Sequence, residues 1–315
     1  MKKIIPLLIW LFLAVLPARS QLVKWSPDDI QLLTKSWEGD RTSDGRPKVA
    51  DEHLDRLMKV TIEEAWEFLR AKGYENQFEN FSGTYENSWV IIHPDKPMIG
   101  RVVTAQYMPM RFDFDDYLQE VGKKQGINRV NNNLPIDALS EGDVYVADAF
   151  GKIVDGTLLG DAVGGTIYRK SKRGVILNGS VRKLDALFEM EGFNGWIRGF
   201  DPSSISHLVC ASVNAPIRIG RVTVLPGDVV MARRSGVIFI PPQFVLELVL
   251  SVEVNTFRND YNQQRREGKI DRGTDFSAWL NKQTNLPATK AELDFYFERQ
   301  TSQQSNPQPV RSQRQ

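Results

Sequence analysis

Leu158-Leu159-Gly160-Asp161-Ala162-Val163-Gly164-Gly165, followed by Arg173-Gly174-Val175-Ile176-Leu177-Asn178-Gly179-Ser180-Val181-Arg182-Lys183, is the stretch that decides the fold. Two leucines, a glycine and an aspartate at a capping position lead into small residues, the pattern of a loop entering a helix. Val175 to Leu177 is apolar and β-branched and reads as a buried strand, ending in Asn-Gly-Ser and a basic pair. Twenty residues separate Asp161 from Arg182, room for a helix of about three turns and a return strand. Such a unit can bring the start of the helix and the end of the strand to one edge of a sheet. Backbone N–H groups at a helix start favour an anion, and a guanidinium grips a carboxylate with two parallel hydrogen bonds. The stretch therefore reads as a carboxylate pocket. Two plainer roles stand beside this one, Asp161 as a simple cap and Arg182 as half of a surface ion pair.

Working outward, short β-branched runs bounded by Gly, Pro or Asp recur at Trp89 to Ile92, Met98 to Tyr107, Val144 to Ala147, His207 to Ala211, Ile217 to Val224, Val229 to Ala232 and Val237 to Ile240. Helical segments at Ala162 to Lys172 and Leu184 to Glu191 alternate with several of them, which argues for an α/β domain. Phe112 to Gly122 reads as a short acidic helix. Before this region, Leu54, Leu57, Met58, Ile62, Ala65, Trp66 and Leu69 recur at helical spacing from Val49 to Lys72, the pattern of one amphipathic helix stopped by Gly73. Beyond it, residues 243–258, Phe276 to Leu280 and Ala291 to Arg299 read as further helices. The tail from Gln300, rich in Gln, Ser, Pro and Arg, reads as disordered.

Met1-Lys2-Lys3, the 13-residue apolar run Ile4 to Leu16 and Pro17-Ala18-Arg19-Ser20 form the three parts of a secretory signal peptide. The run is short against the roughly 20 residues a bilayer span needs, so the expectation is an exported protein with no membrane span after cleavage. The 315 residues carry a net charge of +1, which gives no reason to expect nucleic acid as a partner. Cys210 is the single cysteine, excluding an intrachain disulfide and a cysteine zinc cluster. His53, His93 and His207 stand far apart and read as packed or surface residues. Ser180-x-x-Lys183 matches a serine acyl-transfer pattern in only two letters, and no phosphate loop or dinucleotide fingerprint occurs.

Asp161, the gap and Arg182 resemble the D-x20-R-D signature of the RraA-like family, which includes regulators of ribonuclease activity A and 4-hydroxy-4-methyl-2-oxoglutarate aldolases. Ile99-Gly100-Arg101-Val102-Val103-Thr104-Ala105, Gly142-Asp143-Val144-Tyr145-Val146-Ala147-Asp148, Arg198-Gly199, Pro226-Gly227-Asp228-Val229-Val230 and Gly236-Val237-Ile238-Phe239-Ile240-Pro241 extend the likeness from about Pro97 to Pro242. The resemblance implies a compact α/β sandwich assembled as a homotrimer or higher homo-oligomer, to which the helical patterns above add N- and C-terminal extensions. Together with the readings above, this divides the chain into a signal peptide (1–20), a helical extension (21–75), the α/β domain (76–255) and a C-terminal extension with its tail (256–315).

For the site, the resemblance implies that Gly160, Asp161, Ala162 and Val163 contact the carboxylate of a small 2-keto acid. Arg182 would hold the carboxylate and keto oxygen and steady the enolate formed by retro-aldol cleavage or decarboxylation. It also implies a divalent cation, magnesium, held by an aspartate where this chain has Lys183. Asn178 and the pair Arg233-Arg234 stand where the family often has acids, moving the site further from metal binding. Lys183 is then either an electrophile or nucleophile in the metal's place or the mark of a protein that keeps the pocket without catalysis. Two functions follow: an exported lyase for a small 2-keto acid, or a non-catalytic binding protein with an anion pocket. Regulation of a cytoplasmic ribonuclease conflicts with the signal peptide.

Overall fold

The computed structural model describes residues 23–82 and 89–305; the signal-peptide reading and the end of the tail lie outside them. Three helices come first, α1 (Pro27–Leu33), α2 (Asp51–Leu57) and α3 (Ile62–Ala71), followed by strands β1 (Phe78–Glu79), β2 (Val90–Ile91) and β3 (Met98–Pro109). Helices α4 (Phe112–Lys124) and α5 (Leu134–Asp137) lead to β4 (Asp143–Asp148) and β5 (Thr157–Leu159). Then come α6 (Asp161–Ser171), β6 (Val175–Val181), α7 (Leu184–Phe188), β7 (Gly195–Phe200) and β8 (Leu208–Val213). The β9 (Ile217–Ile219) and β10 (Val222–Val224) hairpin precedes β11 (Val229–Arg233) and β12 (Gly236–Ile240), and α8 (Val245–Arg266), α9 (Phe276–Leu280) and α10 (Lys290–Ser305) follow.

A large mixed sheet runs in the order β1-β12-β11-β3-β4-β6-β7-β2, with β5 on β6 and β8 on β3. Its centre is parallel: β3, β4, β6 and β7 all point the same way, and β5 pairs in parallel with the end of β6. Alternate residues on these strands go to opposite faces. Val103, Ala105, Tyr145, Leu177 and Ile197 pack with Leu118, Val121, Ile167 and Leu187 of α4, α6 and α7. Val102, Val144, Val146, Ile176 and Trp196 pack under Ile217, Ile219, Val222 and Val224 of the β9–β10 hairpin. The α/β reading therefore stands, with helices on one face and a hairpin on the other. Helices α2 and α3 and the start of α8 cover β11 and β12 through Leu54, Leu57, Leu69, Val245 and Leu248, and the rest of α8 forms a separate core with α9 and α10 around Tyr261, Trp279 and Tyr296.

The continuous helix expected over Val49 to Lys72 is two helices. Thr61 begins the second with a capping box: its hydroxyl accepts from the Glu64 N–H at 3.1 Å, and the Glu64 carboxylate accepts from the Thr61 N–H at 2.8 Å. The apolar spacing runs on across residues 58–61, so periodicity alone hides the break. The strand read as Val175 to Leu177 also continues to Val181, because β5 and β7 pair with Ser180 and Val181 and carry the ladder through Asn-Gly-Ser.

Arg46, only 1% exposed, fixes the N-terminal segment to the sheet. Its guanidinium lies 3.2 and 3.0 Å from the Asp143 carboxylate and 3.1 and 3.0 Å from that of Asp44. Burial alone would lower its pKa; the charges of Asp143 and Asp44 outweigh that and hold it above the usual value. Asp143, read from sequence as a turn residue, accepts the Ser140 N–H at 2.8 Å as well as carrying this pair.

Arg46→Met should lower stability by about 3–5 kcal/mol in urea titration, because Asp143 is left buried. A second titration follows from Asp228, whose carboxyl burial pushes up to about 7 against the opposing Leu225 N–H bond of 2.8 Å. A raised folded-state pKa contributes stability below the unfolded value that is lost as pH rises through the folded one. Urea midpoints of wild type should therefore fall relative to Asp228→Asn between about pH 4 and about pH 8, and parallel curves would contradict this.

Candidate functional site

The start of α6 and the end of β6 do meet. The Arg182 N–H donates to the Leu159 carbonyl at 3.0 Å, which closes the β5–β6 pairing one residue before Gly160. Gly160 is the residue before α6, in extended backbone (φ −131°, ψ −162°), and no side chain caps the helix. A Cβ there would stand 3.1 Å from Arg182 Cγ and 3.3 Å from its Nε. Glycine thus lets the arginine stem lie against the backbone at the helix entrance. Asp161, Ala162 and Val163 are the first three residues of α6, whose leading N–H groups have no intrahelical acceptor.

Arg182 is half-buried, and its Nη1 donates to Ser204 Oγ at 3.2 Å. Among the described residues no carboxylate oxygen lies within 4 Å of its guanidinium nitrogens. Lys183 is different. Its Nζ lies 3.0 Å from each Asp161 carboxylate oxygen, with both side chains open to solvent. The Lys183 hydrogen bond holds the Asp161 carboxyl below the usual carboxylate range. The six residues singled out for the site therefore gather at one edge, where Arg182 donates to Ser204 and the ammonium of Lys183 is shared with Asp161.

The donor set does not fit the divalent cation that the resemblance implies. An ammonium has no lone pair to offer, and the one carboxylate beside it is already engaged. Among the described residues no group of three or more His, Cys, Asp or Glu side chains is placed to hold a metal ion. Arg233 does not belong to this neighbourhood: its guanidinium donates to the Met58 and Val60 carbonyls, and β11 pairs there with the opposite end of β3. Asn178 lies on the sheet, donating to Asp148 Oδ1 at 2.7 Å, while Gln106 donates to Asp148 Oδ2 at 3.1 Å. Ser180 donates to the Ile153 carbonyl, so the S-x-x-K match makes no serine–lysine pair.

Sequence reasoning missed Ser204 and the loop that carries it. The loop follows β7, and Asp155 N–H and Thr157 Oγ1 donate to Ser203 at 2.8 and 2.6 Å, tying it beside β5. Asp201-Pro202-Ser203-Ser204 is a turn signal, but nothing in it points to Arg182.

The family model described as Aldolase/RraA matches residues 48–239. Protein DlpA of Legionella pneumophila is 28% identical over 153 residues, 48% of this chain, and the match spans only 23% of that relative's length. The crystal structure of Streptomyces coelicolor RraAS2, titled an unusual member of the RNase ES inhibitor RraA protein family, aligns with a TM-score of 0.53 at 24% identity, covering 72% of this chain and 98% of that one. An uncharacterized Pseudomonas syringae protein aligns with a TM-score of 0.51 at 19% identity, covering 73% and 97%. These two likenesses speak for the fold. With the family model covering more than half of its length, the chain belongs to the RraA-like family.

Proposed function

We propose that the protein binds a small 2-keto acid between Arg182 and the entrance of α6 and cleaves a carbon–carbon bond of it, as a lyase. The observation that carries this is a half-buried guanidinium, lying against Gly160, with no carboxylate partner among the described residues. With oxaloacetate, the bond between C3 and C4 breaks, carbon dioxide leaves, and the electron pair moves through C2 to the keto oxygen as an enolate. A proton from water at C3 then gives pyruvate. Arg182 would meet the negative charge where it develops, and the N–H groups of Asp161, Ala162 and Val163 would receive the C1 carboxylate. Retro-aldol cleavage of a 4-hydroxy-2-oxo acid generates the same enolate.

A second reading, binding without turnover, is favoured by Lys183. Its ammonium is shared with Asp161, so it offers no free electron pair for a nucleophilic role. Either way the protein is read as exported, from residues 1–20, and as a homotrimer. No helix among the described residues is long and apolar enough to cross a membrane.

Pyruvate release from oxaloacetate, corrected for spontaneous decarboxylation, tests the lyase reading. Arg182→Ala should lower kcat/KM by about 10²–10³-fold, the usual worth of one preorganised group on a developing oxyanion. Release no faster than the spontaneous rate would leave the binding reading in its place.

A further inference from the structure

We propose that the Lys183–Asp161 ion pair replaces the divalent cation in this site, so that the organic anion is held by Arg182 and Lys183 together without metal. The inference rests on the carboxylate-pocket reading above, and it concerns what completes that pocket. A site of this family with arginine, two aspartates and a divalent ion sums to +1. Arg182, Asp161 and Lys183 also sum to +1. The net formal charge that meets an anion would thus be the same as in the site the resemblance implies, although its carrier is a covalently attached ammonium rather than an exchangeable ion.

The backbone supports the same conclusion. Lys183 sits in the left-handed region (φ 54°, ψ 48°) as the residue before α7. That conformation suits Gly, Asn and Asp and is uncommon for lysine. The neighbours impose it: Val181 before it and Leu187 after it are fully buried, and the Leu187 N–H bonds back to the Lys183 carbonyl at 3.2 Å. A long cationic side chain at such a point, turned to an aspartate 22 residues away, carries a local backbone cost. An ion pair this exposed adds little to stability, so stability does not explain it. An ammonium has three donors; the two Asp161 oxygens leave at least one for an oxygen of the ligand.

The test uses the full chain and oxalate, a planar dicarboxylate with the shape of the pyruvate enolate, followed by isothermal titration calorimetry. Wild type should bind oxalate with the same Kd in EDTA and in millimolar magnesium, and magnesium titrated alone should give no binding heat. Lys183→Met should weaken oxalate about tenfold or more, the worth of one charge-assisted hydrogen bond, while Lys183→Arg keeps most of the affinity. Lys183→Asp should restore a magnesium requirement. Oxalate binding to wild type only in magnesium, or unchanged binding by Lys183→Met, would overturn the inference and leave the pocket reading intact. Absence of binding by wild type in both buffers would remove the pocket reading and this inference together. The variants change an exposed side chain, and unchanged thermal midpoints will show that affinity rather than folding is being read.

Discussion

The buried contact between Arg46 and Asp143 is the constraint on which the arrangement of this molecule depends. A guanidinium with 1% exposure is tolerable only if its charge and its donors are met inside the protein. Asp143 and Asp44 meet the charge, and the Ala138 carbonyl takes a further bond at 3.3 Å. Asp143 opens β4, so the pair nails the N-terminal segment to the amino end of the parallel strands. Arg101, on the neighbouring β3, repeats the device. It reaches the Val49 carbonyl at 2.7 Å, Asp51 at 2.6 Å and the Glu141 carbonyl at 2.6 Å.

This concentrates buried structural charge at the amino end of the parallel strands. In open α/β sheets ligands bind beyond the carboxyl ends of the strands, and Arg182 follows the carboxyl end of β6. The polar row of Gln106, Asp148 and Asn178 crosses the neighbouring strands β3, β4 and β6, bonded through Asp148 and joined by Arg198, which donates to Asn178. The division explains why two arginines of the same chemistry have opposite fates. Arg46 is saturated with carboxylates, whereas Arg182 has a serine hydroxyl.

The sequence showed the βαβ unit around Asp161 and Arg182 because both halves of the argument are local: a capping position, small residues, an apolar strand and the length between them. It showed most strands for the same reason. The capping box at Thr61 was written in the sequence as Thr-Ile-Glu-Glu, yet apolar spacing that continues on both sides masked it. The extension of β6 through Asn178, Gly179 and Ser180 was not legible, since those residues are turn formers and only pairing with β5 and β7 overrides them. Arg46 and Asp143 are 97 positions apart, and neither carries a local sign of the other. Ser204 was invisible for the same reason.

Lys183 shows how the two kinds of information combine. Its identity puts a cation where the resemblance implies an aspartate, which by itself suits a site without function as well as an altered one. The structure adds that the ammonium remains in the neighbourhood, 3.0 Å from Asp161, and on the edge that bears Arg182. With 56% of its side chain exposed, the lysine could extend into solvent with full side-chain freedom. Instead its charge is pinned to the first residue of α6, the residue that follows the glycine against which Arg182 lies. Lys183, Asp161 and Arg182 thus stand on one edge of the sheet, and their formal charges sum to +1.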